Sequence, residues 1–269
     1  MSHRQELCNA YDHRSRSRFD ASHLDARLSN HGAGDPLAEQ MIHEENAGWL
    51  LPTVLSMTAG AVDVIGFLGL GGLFTAHITG NVVIVAAHYA TGGFSQVGPL
   101  LAVPIFMAVM GLVTLASGAI AQPGSTPLRP LLWLQTALLA GFLGIGVGFG
   151  RFSDADNSIA VLAGMFGVAA MATQNVLVKL ALKDTPSTAV MTTNITQLTL
   201  DLSMLARSRG GGDELAKVQR RARMTFACVI GFVFGCACGA ALEVKFGLWA
   251  LALPVVLSAL AVPVGRVEE

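Results

Sequence analysis

The sequence predicts an all-α polytopic membrane protein, and three observations carry that expectation. Hydrophobic residues make up 52% of the 269 and charged residues only 13%, with a mean hydropathy of +0.57. Soluble domains carry about 25% charged residues. The charge is also segregated: residues 1–47 hold five Arg and eight Asp or Glu, whereas residues 48–128 hold a single charge, Asp63. Finally, apolar runs of about 20 residues, the length at which an α-helix crosses hydrocarbon, recur along the chain. The net charge of −1 and the lack of a dense basic patch give no support to a nucleic-acid partner, and none is expected.

The first 47 residues contain no apolar stretch and so do not read as a secretory signal. They are rich in His, Arg, Asp and Ser without helical or strand period, and are expected to form a disordered cytosolic tail. Its five histidines (His3, His13, His23, His31 and His43) are too widely and irregularly spaced to read as a metal site. The membrane domain is expected over 48–265, with six spans: Gly48–Leu70, Pro99–Ala121, Leu128–Phe149, Ser158–Leu182, Met224–Ala241 and Gly247–Val264. Two further stretches, Leu73–Ala90 and Thr188–Ala206, are shorter or more polar.

Whether those two stretches cross decides between six spans and eight. Lys and Arg favour cytoplasmic loops. Residues 207–223 hold Arg207, Arg209, Lys217, Arg220, Arg221 and Arg223 and are cytoplasmic either way. Six spans also keep Arg129, Lys179 and Lys183 inside and leave Arg151 and Lys245 outside; eight spans put the first three outside. The charge pattern favours six, with eight as the alternative. Both arrangements place the N- and C-termini in the cytoplasm.

A short polar pattern occurs twice in the apolar sequence. Asp63 is followed by His77-Ile78-Thr79-Gly80-Asn81, and Gln174-Asn175 by Met191-Thr192-Thr193-Asn194. The run Ala59 to Asp63 has a counterpart in Met171 to Asn175, Phe106-x4-Gly111 in Phe226-x4-Gly231, and Trp133 in Trp249. The shared order implies two repeat halves, about 48–150 and 158–265. With three spans per half the second half is inverted, a layout used by transporters with sites at the repeat interface. The two polar stretches are then broken or re-entrant segments, which survive at membrane depth only inside protein or along a wet cavity.

Polar groups are costly in hydrocarbon, so these residues are the candidates for a solute or ion pathway: Asp63, His77, Asn81, Asn175, Asn194 and Asp201. Asp63 and His77 can titrate, which suits proton coupling. In Thr188–Ala206, Asn194, Gln197 and Asp201 share one face and Thr192, Thr196, Thr199 and Ser203 form a stripe beside it. No Lys or Arg lies between Thr188 and Ala206, so that polar face is expected to point into the protein and not to the membrane surface. Glycines spaced four apart, Gly144 and Gly148 in one span and Gly231, Gly235 and Gly239 in another, are expected to form helix-packing seams. Gly69-x-Gly71-Gly72 breaks the first span where the chain turns.

Cys236 and Cys238 are two apart on one helix and cannot chelate one metal from it; no metal or cofactor is expected. No phosphate loop, His-Glu-x2-His or Gly-x-Ser-x-Gly occurs, so no enzyme is expected. The leading expectation is a small-solute transporter or permease, with the proton as one coupling ion; the alternative is a non-transporting scaffold or assembly partner whose polar repeat glues helices together. Its partners are then the lipid bilayer and an unidentified solute or proton, with a homo-oligomer left open.

The run Ala59-Gly60-Ala61-Val62-Asp63-Val64-Ile65-Gly66-Phe67-Leu68 through Gly72 and Phe74 to His77-Ile78-Thr79-Gly80-Asn81 resembles the YoaK-like family of bacterial integral membrane proteins. So do Ala170-Met171-Ala172-Thr173-Gln174-Asn175 and Thr192-Thr193-Asn194-Ile195-Thr196, where the family often reads Thr-Gly-Thr and this chain has Thr193-Asn194. The resemblance spans about 48–265. It implies a bacterial inner-membrane location and about six helices, and it supplies no substrate or reaction.

Overall fold

A computed structural model describes residues 36–92, 97–120, 127–148, 157–182, 185–207 and 212–265. The described residues are helical, with short connections: α1 (Pro36–Gly69), α2 (Ile78–Ala90), α3 (Val97–Ile120), α4 (Leu128–Gly148), α5 (Ser158–Ala181), α6 (Met191–Arg207), α7 (Asp213–Phe246), a 3-10 turn (Gly247–Leu251) and α8 (Ala252–Val264). No strand occurs among them. The expected tail lies outside the described residues up to residue 35, and the backbone from Pro36 onward is helical.

Five helical stretches are long and apolar enough to cross a membrane: Gly48–Gly69, Val97–Ala119, Leu128–Gly148, Ser158–Ala181 and Asp213–Val264. The last holds 52 residues and is divided at Gly247, whose φ of 60° favours glycine. The 3-10 turn and α8 together reach about 30 Å, one hydrocarbon thickness. α7 starts at Asp213, not at Met224, so much of the basic stretch expected to be loop is its first turns. Asp213 and Glu214 in that first turn favour a helix start there, because their charge meets the positive end of the helix dipole.

Two apolar clusters give each helix a direction. One gathers Ala59, Val62 and Ile65 of α1, Ala102 of α3, Leu139 and Phe142 of α4, Ala160 and Ala163 of α5, and Leu251. The other gathers Leu51 and Leu55 of α1, Val113 of α3, Leu128 and Leu132 of α4, Val176 and Leu177 of α5, and Ala261 and Val262 of α8. Along the chain α1 therefore runs from the second cluster to the first, α3 back, α4 forward, α5 back, and α8 back. α1 and α5 are antiparallel: Gln174 Nε2 bonds the Leu55 carbonyl, while Gly164 lies against Leu70 and Leu73. Eight spans would run α1 and α5 the same way. The six-span arrangement holds, and α2 and α6 are the non-crossing segments. At about 20 Å, α2 is also too short to cross.

The spans of α1 and α5 are the central ones, 67% and 72% buried against 17–39% for the other three stretches. α1 and α7 run in the same direction along a glycine seam. A Cβ on Gly231 would lie 2.8 Å from the Thr53 carbonyl, one on Gly235 would overlap the Met57 carbonyl, and one on Gly239 would lie 3.0 Å from the Ala61 carbonyl. Gly60 of α1 answers by meeting the Phe232 carbonyl of α7. The other expected seam is corrected: a Cβ on Gly144 or Gly148 meets nothing within 4 Å among the described residues. In α4 the close approaches are Gly141 to Phe166 and Gly146 to Leu248. Large apolar side chains such as Met107, Leu112 and Leu115 of α3 and Ile230 and Val233 of α7 face outward, as a lipid solvent requires.

Candidate functional site

Two loops turn back into the bundle, and they carry the polar pattern. The first follows α1, which ends in a Schellman motif: Gly72 N–H donates to the Phe67 carbonyl at 2.8 Å, with Gly71 and Gly72 at φ 68° and 98°. The chain then returns to the level of Asp63, about 9 Å below the helix end. Asp63 Oδ1 accepts the N–H groups of Thr75 at 2.8 Å, Ala76 at 2.7 Å and His77 at 3.3 Å. Its Oδ2 lies 2.7 Å from His77 Nδ1. Buried backbone N–H groups need partners, and here one carboxylate serves three. Asp63 is 4% exposed, while the His77 side chain is 40% exposed.

Asn81 closes this loop. Its Oδ1 accepts the Phe74 N–H at 2.9 Å and its Nδ2 donates to the Phe74 carbonyl at 2.8 Å. Phe74 stacks on Phe67 with centroids 4.7 Å apart and covers Gly80, where a Cβ would come within 2.9 Å of the ring. His77 meets Phe232 of α7 edge-on at 5.5 Å.

The second loop follows α5 and does the same with neutral groups. Gln174 Nε2 donates to Thr188 Oγ1 at 2.8 Å, about 10 Å back from the end of α5. It also donates to the Leu55 carbonyl at 3.0 Å, and Gln174 Oε1 accepts from Gln135 Nε2 at 2.7 Å. Asn194 Nδ2 donates to the Ser187 carbonyl at 2.6 Å, seven residues back, as Asn81 does to Phe74. Geometry thus gives Gln174 the position that Asp63 holds in the first loop. Asn175, paired with Asp63 by sequence register, bonds only the Met171 carbonyl of its own helix among the described hydrogen bonds.

Asp201 is buried on α6 and held by Arg221 of α7, with Nε to Oδ2 at 2.9 Å and Nη2 to Oδ1 at 2.5 Å; Gln197 Nε2 donates to Oδ1 at 2.8 Å. The broad polar face expected to point inward is split. Asn194 and Asp201 are buried and Gln197 lies between, but Thr192, Thr196, Thr199 and Ser203 are exposed. The hydroxyls of the last three satisfy themselves on the carbonyl four residues back, so they need no interior partner.

Between the second loop, α5, α6 and α7 lies a cleft of about 400 Å³. Asn175, Lys179, Thr188, Asn194, Arg221 and Thr225 line it, with Val178, Leu182 and Pro186 as apolar wall. Asp63, His77 and Asn81 do not. The six sequence candidates therefore fall into two clusters, not one. Sequence reading did not single out Thr188 and Thr225, which line the cleft, or Gln135, which bonds Gln174. Ser187 had a signal, lying seven before Asn194 as Phe74 does before Asn81; Arg221 had none, because its partner sits on another helix.

The two loops predict unequal mutants. Asn81→Leu strands both the N–H and the carbonyl of Phe74 and is expected to cost about 2–3 kcal/mol, whereas Asn194→Leu breaks one backbone bond, to Ser187, and a long 3.8 Å contact to the weak acceptor Met191 Sδ, and costs about 1 kcal/mol. Thermal unfolding of the full chain in detergent measures both; a larger loss at Asn194 than at Asn81 contradicts the two-bond clamp.

Fold and loops together define a polytopic α-helical membrane protein with two re-entrant connections. The chain belongs to the family described as protein of unknown function (DUF1275), which it matches over residues 51–264. It is similar to the UPF0700 transmembrane protein YoaK of Bacillus subtilis (strain 168), with 37% identity over 70 residues, covering 26% of this chain and 28% of that relative. The chain thus matches little more than a quarter of that curated relative's length. No solved structure matches it.

Proposed function

We propose that the chain is a small-solute permease of the bacterial inner membrane, non-enzymatic, with both termini in the cytoplasm. The observation that carries this reading is the polar cleft at the second loop, set against the first loop, whose polar groups are clamped by Asp63 and Asn81. Antiparallel α1 and α5, each followed by a loop that returns about 10 Å into the bundle, are what an inverted duplication produces. In such carriers one side opens while its counterpart closes. By the charge rule the open cleft, beside Lys179 and Arg221, faces the cytoplasm. Asp63 and His77 then serve as a proton-carrying pair at the closed side.

Uptake into proteoliposomes tests the reading. Vesicles with the wild-type chain are incubated in a mixed extract of small solutes and compared by mass spectrometry with vesicles holding Thr193→Trp, which fills the cleft. At least one solute is expected to accumulate about fivefold or more with wild type only. Equal contents in the two vesicle sets would sink the permease and favour a scaffold.

A further inference from the structure

The cleft has an uneven chemistry. Lys179 and Arg221 line it, and among the described residues no Asp or Glu does. Asp201 meets the charge of Arg221 from behind and uses two of its N–H groups, leaving others of the five for a ligand. Lys179 is exposed and has no ion pair among the described residues. Lys183 and Asp184 lie outside them.

The neutral groups point the same way. Thr188 Oγ1 accepts its bond from Gln174 and Ser187 Oγ accepts from the Val190 N–H, so each hydroxyl keeps its own proton to donate. Thr225 is 1% exposed, and its hydroxyl has no partner among the described residues. A buried hydroxyl left without a bond is unfavourable unless a ligand completes it. The cleft also sits at the first turn of α6, where Thr193 and Asn194 line it and unpaired helix N–H groups favour negative charge. Its volume is far larger than an inorganic ion needs and falls within the range of small-molecule sites.

We propose that the cleft binds a small organic anion. Its carboxylate or phosphate oxygens take Lys179, Arg221 and the hydroxyls of Thr188 and Thr225, and its apolar body lies on Val178 and Leu182. This rests on the permease reading, since the cleft is the same one. The oxyanion can come from a free solute or from the phosphate of a membrane lipid.

Thermal shifts of the purified full chain in detergent test it, with hexanoate and phenyl phosphate as probes and hexylammonium as the opposite charge. Either anion is expected to raise the melting temperature saturably in the millimolar range, with hexylammonium inert. Lys179→Gln should weaken binding at least fivefold. Thr225→Val should melt no lower than wild type, because it removes a hydroxyl without a partner, yet bind at least threefold more weakly. In nanodiscs, loss of the shift in phosphatidylglycerol but not phosphatidylcholine identifies the headgroup of a net-anionic lipid as the occupant and keeps the anion class. No shift with either anion, an equal shift with hexylammonium, or wild-type binding by Lys179→Gln overturns the proposal. Anion binding without uptake into proteoliposomes overturns the permease and leaves the site standing; uptake of uncharged solutes without anion binding does the reverse.

Discussion

Gly235→Ala is expected to lower the stability of the chain by about 3 kcal/mol or more, the upper end of overpacking costs. The added methyl falls on the Met57 carbonyl of α1 and within 2.9–3.0 Å of the Met57 C and Cα atoms. These are backbone atoms, which cannot rotate aside as a side chain can. α1 and α7 must separate, and the separation is felt along the seam: Gly60 lifts from Phe232, and the Cys236 Sγ contact to the Gly60 carbonyl at 3.4 Å is lost. α1 is a central helix, so it has little room to yield on its other side. Gly144→Ala is the matched control. Nothing lies within 4 Å of its added methyl, and Ala is favoured over Gly in a helix by about 1 kcal/mol, so that variant should melt at or above wild type. Thermal unfolding of the two in one detergent reads the contrast directly. Equal effects would mean that the close approach of α1 and α7 is wrong.

The glycine contrast shows how far spacing alone can be read. Gly144-x3-Gly148 and Gly231-x3-Gly235-x3-Gly239 look alike as sequence, because both put small residues on one helix face. Only the second has a neighbour to receive it, and the neighbour, the backbone from Thr53 to Ala61, lies about 180 residues away in the chain. Span count was more legible. Arg129, Lys179 and Lys183 already favoured six spans, since charge placement is set residue by residue and needs no partner. The re-entrant segments were legible for the same reason: Asn81 and Asn194 are too polar for lipid and must be paired inside. What they pair with was not. Their partners are backbone groups of Phe74 and Ser187, and any residue offers a backbone. The polar face of α6 misled for a related reason. Thr196, Thr199 and Ser203 look like an interior stripe until their hydroxyls turn back onto their own helix, an option open to hydroxyls and closed to Asp201, which needed Arg221.

Asp63→Ala and Asp63→Asn are expected to behave as two different experiments. Ala leaves the buried N–H groups of Thr75 and Ala76 without an acceptor, and each such loss costs about 1–3 kcal/mol. The loop between α1 and α2 should open, and the variant should lose about 3–5 kcal/mol. Asn keeps an oxygen at the Oδ1 position, so the three loop N–H groups keep their acceptor. What changes is the other side. An Nδ2 donor replaces Oδ2 against His77 Nδ1, the imidazole must accept, and the pair can no longer pass between charged and neutral forms as a unit. Stability should fall by only about 1 kcal/mol, within the range of a single hydrogen bond. If Asp63 and His77 carry the coupling proton, Asp63→Asn proteoliposomes show normal insertion and near-native melting but no uptake of the solute that wild type accumulates. Wild-type uptake by Asp63→Asn would make the carboxylate a loop clamp only, and the permease would then have to couple elsewhere or not at all. Melting and uptake measured on the same preparations separate loop clamping from coupling, because the loop N–H groups bond Oδ1 while His77 bonds Oδ2.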